Sequence, residues 1–290
     1  WLKWLIAVVA VSLSFAFGSL FRHSLDVHTP APNTMLPWSA LFSAQHTLQL
    51  ITSDPNIAEI QAITGGQLSV TDYANRNYLA GPNKLSPEDE RFCRRVLIGD
   101  KSATLDTQIA VAIIQLARGV PQIISVRGAR DIQLKDLRND RNFIFFGSPR
   151  SDPWVSLFDD QLDFRFVFDP QAHSEYLVDA HPQPKEQDKY VPTATGGLTG
   201  DTFAIIALVD NPDHDGHVLL LAGADGEGTD AAGKLVTDVP RFSVLLQHCG
   251  INPSAAIQPF EFLLRVETVA GSPGRTDLVA CHKLTGTTPK

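Results

Sequence analysis

No two cysteines of this chain stand at C-x-x-C spacing. The three present are Cys93, Cys249 and Cys281, which argues against a zinc ribbon or a thioredoxin-like redox motif. There is no Walker-type lysine loop, so no P-loop nucleotide site is marked. There is no G-x-S-x-G elbow, so a hydrolase nucleophile has no marked home. Positive charge is also scarce, with 24 Lys+Arg against 32 Asp+Glu and a formal net charge of −8. Neutralising a phosphate backbone takes a basic patch, so no nucleic acid is expected as a partner. The basic stretches RFCRR (91–95) and VRGAR (126–130) are followed by Asp100 and Asp131, and they read as solvated faces. Low-complexity segments are absent, and no motif asks for a cofactor.

What is present has a clear order. A chain of 290 residues that is 43% hydrophobic can bury a sizeable core. It opens on WLKWLIAVVAVSLSFAFGSLF, in which Lys3 is the single charge. From Trp4 to Phe21 the run is apolar and small, close to the roughly 20 residues that span a bilayer as a helix. A cleaved signal peptide would have a shorter core and a small-residue cleavage site before Arg22, which is missing. Residues 1–22 are therefore expected to be a retained single-span anchor in membrane lipid. Its orientation stays open, since Lys3 flanks one end and Arg22 with His23 the other. Residues 23–43, with Pro30, Pro32 and Pro37, read as an extended linker. A globular extracytoplasmic domain is expected over 44–284, with lobes at 44–170 and 171–284, followed by a frayed tail at 285–290.

Hydrophobic periodicity and punctuation outline α/β architecture: a mainly parallel or mixed sheet covered by helices. HTLQLITS reads as a strand. The next helix has Asp54 as N-cap, Pro55 at its first position and Gly65 as its stop. Ser69 or Thr71 caps another helix. Ser86 caps a third, with Pro87 and acids in its first turn. LDTQIAVAIIQLARG is a strongly apolar helix, expected to be buried on most sides. QIISVR and NFIFFGS read as strands that are parallel neighbours, linked by a crossover. In the second half, LDFRFVFD pairs with SEYLVDA, and a polar loop follows. TFAIIALVD and HVLLLAGA form a hairpin through Asp215-Gly216. Helical material interrupted at Pro240 follows, and then two strands joined by a Gly-Ser-Pro-Gly turn. Cys93 reads as a packed thiol. Free thiols are favoured for Cys249 and Cys281, with a disulfide as the alternative if the region lies outside the cell.

In open α/β sheets, ligands collect where strands end and helices begin. Three such tips stand out: ITSDPN, FGSPRSDPW and AGADGEGTDAA. The first two share Ser-Asp-Pro, with Asp capping and Pro starting a helix; Thr229 or Asp230 would cap the third. Backbone N–H groups at such tips suit an anion. The candidate ligand-binding residues are Ser53, Ser148, Arg150, Ser151, Gly226, Gly228 and Thr229. Arg150 would supply fixed positive charge, and the glycines would allow close approach. The plainer reading is that capping Asp and loop Gly serve the turns themselves. The glycines at 223, 226 and 228 lack G-x-G-x-x-G spacing. A cluster at Asp210, Asp213, His214, Asp215 and His217 suggests a metal but reads as turn geometry. Asp159, Asp160 and Asp163 suggest paired catalytic carboxylates but read as a solvated helix end. No metal is expected.

GSPRSDPWVSLF followed by LDFRF, and then LLLAGADGEGTDAA, resembles uncharacterised bacterial single-pass membrane proteins of acidobacterial type. These carry GSPRxNPW-like and GTxAA-like motifs in an extracytoplasmic α/β domain. The resemblance covers about 45–284, with Asp152 where Asn is common. It implies a cell-membrane protein whose domain binds or senses a small anionic ligand or a protein partner. It also implies a cytoplasmic regulatory module before the span, which would make this chain the sensing half. An envelope enzyme and a structural envelope protein are the alternatives.

Overall fold

A computed structural model of the chain describes residues 31–99, 103–138, 141–194 and 198–284. The anchor expected over 1–22 and the tail 285–290 lie outside them. Among the described residues no helix is long and apolar enough to cross a membrane. A mixed sheet of seven strands forms the centre, in spatial order β10-β9-β7-β8-β3-β1-β2. In chain order these are β1 (Thr47–Thr52), β2 (Ile124–Gly128), β3 (Arg141–Phe146), β7 (Gly200–Asp210), β8 (His217–Gly223), β9 (Phe260–Val269) and β10 (Ser272–Lys283). β2, β1, β3 and β8 run parallel, whereas β7, β9 and β10 join as antiparallel neighbours. A small antiparallel sheet holds β4 (Phe164–Asp169), β5 (Ser174–Asp179) and β6 (Lys189–Tyr190).

Strand alternation explains why the sheet is covered on both sides. On β3, Ile144 and Phe146 enter one core while Phe143 and Phe145 enter the other. On β8, Leu219 and Leu221 face the first core and Val218 and Leu220 the second. Strands buried on both faces read as continuous apolar runs, which is why NFIFF and HVLLLAG were legible. The first core is covered by α1 (Trp38–Leu41), α5 (Thr104–Leu116), α6 (Gly226–Thr237) and α7 (Val239–His248). The second lies under α2 (Pro55–Thr64), α3 (Val70–Ala74), α4 (Pro87–Val96), the 3-10 helix Pro153–Gln161 and the small sheet.

Local signals held where they are local. The side chains of Asp54, Ser69 and Ser86 accept from backbone N–H groups at the starts of α2, α3 and α4, and Gly65 closes α2 in the left-handed region. Several expectations are corrected. β2 and β3 are parallel but not neighbours, because β1 sits between them and pairs with both. The described residues from Pro32 on form one compact unit, and the seven-stranded sheet takes strands from both expected lobes. From Pro32 on, the expected linker is folded: Met35, Leu36, Trp38, Ala40, Leu41 and Phe42 are buried in the first core. Asn142 Nδ2 donates to the carbonyls of Ala40 (3.2 Å) and Leu41 (2.9 Å), which fixes this strap to β3. α5 buries only one side, since Val111 and Ile114 are exposed. The last hairpin turns at Ala270-Gly271, and Pro273-Gly274 lie inside β10 next to a register shift. Cys249 and Cys281 form a disulfide with Cα atoms 6.1 Å apart, while Cys93 is a buried free thiol. Arg130, read as solvated, is buried in an ion pair with Asp54, and its Nη1 donates to the Leu97 carbonyl at 2.7 Å.

Candidate functional site

β1, β3 and β8 are parallel and spatially consecutive, so their carboxyl ends lie at one edge of the sheet. From β1 the chain crosses to β2 on one side, and β3 lies on the other, which makes the β1/β3 boundary a topological switch point. Such a boundary leaves a crevice beyond the strand ends. The three tips read in the sequence follow these same three strands, and they line one cavity of about 260 Å3. Ser53, Ser148, Arg150, Ser151, Gly226 and Thr229 all face it, together with Glu59, Asp106 and Asp225. Gly228 does not line it. An added Cβ there would sit 3.0 Å from both Gly223 Cα and the Phe203 carbonyl, so this glycine lets helix α6 approach the sheet.

The tips are tied to one another by backbone geometry. Gly147, with φ of 87°, ends β3 in the left-handed region. A Cβ at Gly147 would collide with Ser151 Oγ and lie 2.8 Å from Ser53 Cβ. The Asp54 N–H donates to the Ser151 carbonyl at 2.8 Å, joining the β1 and β3 tips. Gln61 Nε2 donates to the Arg150 carbonyl at 2.6 Å. Asp152 caps the following 3-10 helix through the Trp154 N–H at 3.2 Å, and the buried Trp154 donates its indole N–H to the Ala129 carbonyl at 3.0 Å. The third tip is capped by Asp225, which accepts from Gly228 N–H at 2.8 Å. Thr229, expected as a cap, instead accepts from Gly223 N–H at 3.1 Å. Asp225 suits an N-cap by residue type as well as Thr229 or Asp230 does, and the sequence reading passed over it.

Most hydroxyls in the cleft are already committed. Asp106 Oδ2 accepts both the N–H (2.6 Å) and the Oγ–H (2.7 Å) of Ser53. Burial pushes the Asp106 carboxyl up to about 6, against the pull of those two bonds. Ser148 Oγ donates to Glu175 Oε2. Glu175 is fully buried; burial pushes it up to about 7, with Ser148 and the Arg150 charge pulling back. Its other oxygen, Oε1, has no hydrogen-bond partner. Glu175 was not singled out in the sequence, because nothing in SEYLVDA marks its inward direction.

Arg150 is different. It lines both this cavity and a second one of about 290 Å3, which also includes Glu175, His173 and Asp225. Its Nε is buried without a hydrogen-bond partner. Its guanidinium carbon lies 6.0 Å from the centre of the Phe168 ring. Among the described residues no carboxylate lies within salt-bridge distance of it. Elsewhere, Asp210 lies 3.7 Å from His214 Nδ1 and 3.6 Å from His217 Nδ1, at a hairpin turn away from the cleft. Asp163 is no solvated helix end, for it bonds His282 Nδ1 at 2.8 Å. Comparison with protein-family models, with curated proteins and with solved structures finds no match to the chain.

Proposed function

We propose that this chain is a ligand-binding, sensory domain held outside the cell by an anchor at residues 1–22. Its ligand would be a small polar molecule with an acidic group at one end and an ammonium or other donor group at the other. The observation that carries this is Arg150, a cation in the wall between two cavities with a buried donor left unpaired. Buried polar groups are nearly always satisfied, and an orphan calls for an explanation. A carboxylate or phosphate oxygen would satisfy it. The other charged side chains around the first cavity are acids, Glu59, Asp106 and Asp225. They oppose a purely anionic ligand and favour one with a positive or hydrogen-bond-donating end. A cavity of about 260 Å3 falls just below the roughly 300–1,000 Å3 of drug-sized sites, so the ligand should be small. Placement outside the cell is supported by the Cys249–Cys281 disulfide, since such bonds persist in oxidising compartments. An enzyme reading would use Ser53 with Asp106 as its base. The same Asp106 oxygen also holds the Ser53 backbone N–H, so the pair serves to fasten α5 to the β1 tip.

Thermal-shift titrations would test this with four probe classes: phosphate, simple carboxylates, zwitterionic amino acids and small amines. Zwitterions should raise the melting temperature most. Arg150→Ala should keep a near wild-type melt without ligand and lose the shift, and Asp225→Asn should blunt it. Trp154→Ala is the structural control and should lose about 3–5 kcal/mol, the usual cost of deleting a buried large aromatic. If Arg150→Ala melts as early as Trp154→Ala, Arg150 is a strut and the binding proposal fails.

A further inference from the structure

We propose that His282, Glu186 and Asp179 bind one divalent ion of the zinc class, which would pin the small sheet to the last strand of the main sheet. A carboxylate oxygen of Asp179, one of Glu186 and a ring nitrogen of His282 lie within 4.8 Å of one another. These residues come from three places: the end of β5, the loop before β6 and the end of β10. His282 is almost wholly buried, and its ring packs on Phe164 with centroids 4.7 Å apart.

The geometry around His282 has the form of a supported metal ligand. Its Nδ1 lies 2.8 Å from Asp163 Oδ2, and its Nε2 points to Glu186 Oε2 at 3.0 Å. A metal-binding imidazole commonly donates its other N–H to a carboxylate, which fixes the ring and its tautomer. Asp163 would be that outer partner, with His181 Nδ1 on its second oxygen at 2.6 Å. The 3.0 Å between Nε2 and Oε2 is shorter than the roughly 3.4 Å between two ligands on a tetrahedral ion with bonds of about 2.1 Å, so the two side chains would part by a few tenths of an ångström to admit one. Glu186 is held in a tight turn, where Gln183 N–H donates to Oε2 at 2.7 Å and Glu186 N–H donates to the Gln183 carbonyl at 2.9 Å.

A second observation points to a missing partner. Asp179 is 6% exposed, and its Oδ2 is buried with no hydrogen bond. Its Oδ1 accepts from His181 N–H at 2.9 Å, so one oxygen is anchored and the other is left over beside the cluster. Without an ion, a protonated His282 would bridge Asp163 and Glu186 as a salt-bridge hub, but Asp179 Oδ2 would stay unsatisfied. One imidazole and two carboxylates suit zinc or a neighbouring first-row ion better than calcium, which takes oxygen ligands only. Three protein ligands leave a fourth position for water.

The test is metal binding by the tag-free full chain after chelator treatment, titrated with Zn2+ and with Co2+ as a spectroscopic probe. Uptake of one ion per chain is expected, with a raised melting temperature and visible d–d bands for Co2+. Asp163→Asn should weaken binding by about 10–100-fold, as loss of an outer partner does, and His282→Gln and Asp179→Asn by more. Glu186→Gln alters a partly exposed loop residue, so it keeps the test valid should the buried variants fail to fold. If the folded wild-type chain takes up no stoichiometric ion, His282 is a salt-bridge hub and the proposal is overturned. It is equally overturned if binding survives Glu186→Gln unchanged, because the ion then sits elsewhere.

Discussion

Glu175 and Arg150 both line the second cavity. Glu175 is sealed from water and accepts a hydrogen bond from Ser148, while its Oε1 has no partner within hydrogen-bond distance. Its carboxyl is pushed by burial from 4.5 up to about 7, the Arg150 charge notwithstanding. The native state therefore holds this proton more tightly than the unfolded chain does. Where the folded state binds more protons, stability falls as pH rises. The contribution of Glu175 should be fully present below the unfolded value of 4.5 and be lost as pH passes about 7. Asp106, raised by burial from 3.8 to about 6, acts in the same direction over a lower window. Wild-type protein should thus melt higher near pH 5 than near pH 8. Glu175→Gln keeps an acceptor for Ser148 and removes the charge. Its melting curve should converge with wild type near pH 5 and lie above it near pH 8. Melts of both proteins across that range decide the matter, and a variant that tracks wild type throughout would show that Glu175 is not strained by burial.

Helix starts were legible in the sequence because a cap is a transaction between residues two or three apart. Asp54, Ser69, Ser86 and Asp152 each accept from a nearby backbone N–H, as their residue types imply. What failed was non-local. The place of β1 between β2 and β3 depends on pairing across more than seventy residues of chain. The His282 cluster draws on positions spread from Asp163 to His282, with no motif to announce it. The disulfide belongs to the same class: Cys249 at the end of α7 and Cys281 on β10 are brought together only by the sheet. That bond closes a loop with a sequence separation of 32, and chain-entropy reasoning gives such a loop about 3–4 kcal/mol. Reduction, or Cys249→Ala with Cys281→Ala, should destabilise the fold by about that amount. Thiol titration in non-reducing denaturant should find one free thiol per chain, from Cys93. Three thiols there would mean that the bond does not form.

At the scale of the whole molecule, the candidate site was more legible than the fold that holds it. Each tip is a strand end followed by a cap, and both halves are local signals. Their convergence needed only that three parallel strands lie side by side, and β1, β3 and β8 do. The strap before β1 was misread for the opposite reason. Pro32 and Pro37 forbid long regular helix but do not forbid burial, and a proline-rich segment can still carry core side chains. Met35, Leu36, Trp38, Leu41 and Phe42 are buried against the first core, and Trp38 stacks on Phe42 with ring centroids 5.1 Å apart. Each large apolar side chain buried contributes about 1.5–3 kcal/mol. Together they approach or exceed the roughly 5–15 kcal/mol that separates a typical folded domain from its unfolded chain. A truncation beginning at residue 44 would also strip Asn142 of its acceptors at Ala40 and Leu41, leaving a buried amide unpaired. Such a truncation should be insoluble or lack a cooperative melt, whereas one beginning at residue 32 should fold and melt in one transition. Circular dichroism of the two truncations side by side is the measurement. A cooperative, wild-type-like melt from the shorter one would show that the strap only rests on the core and does not complete it.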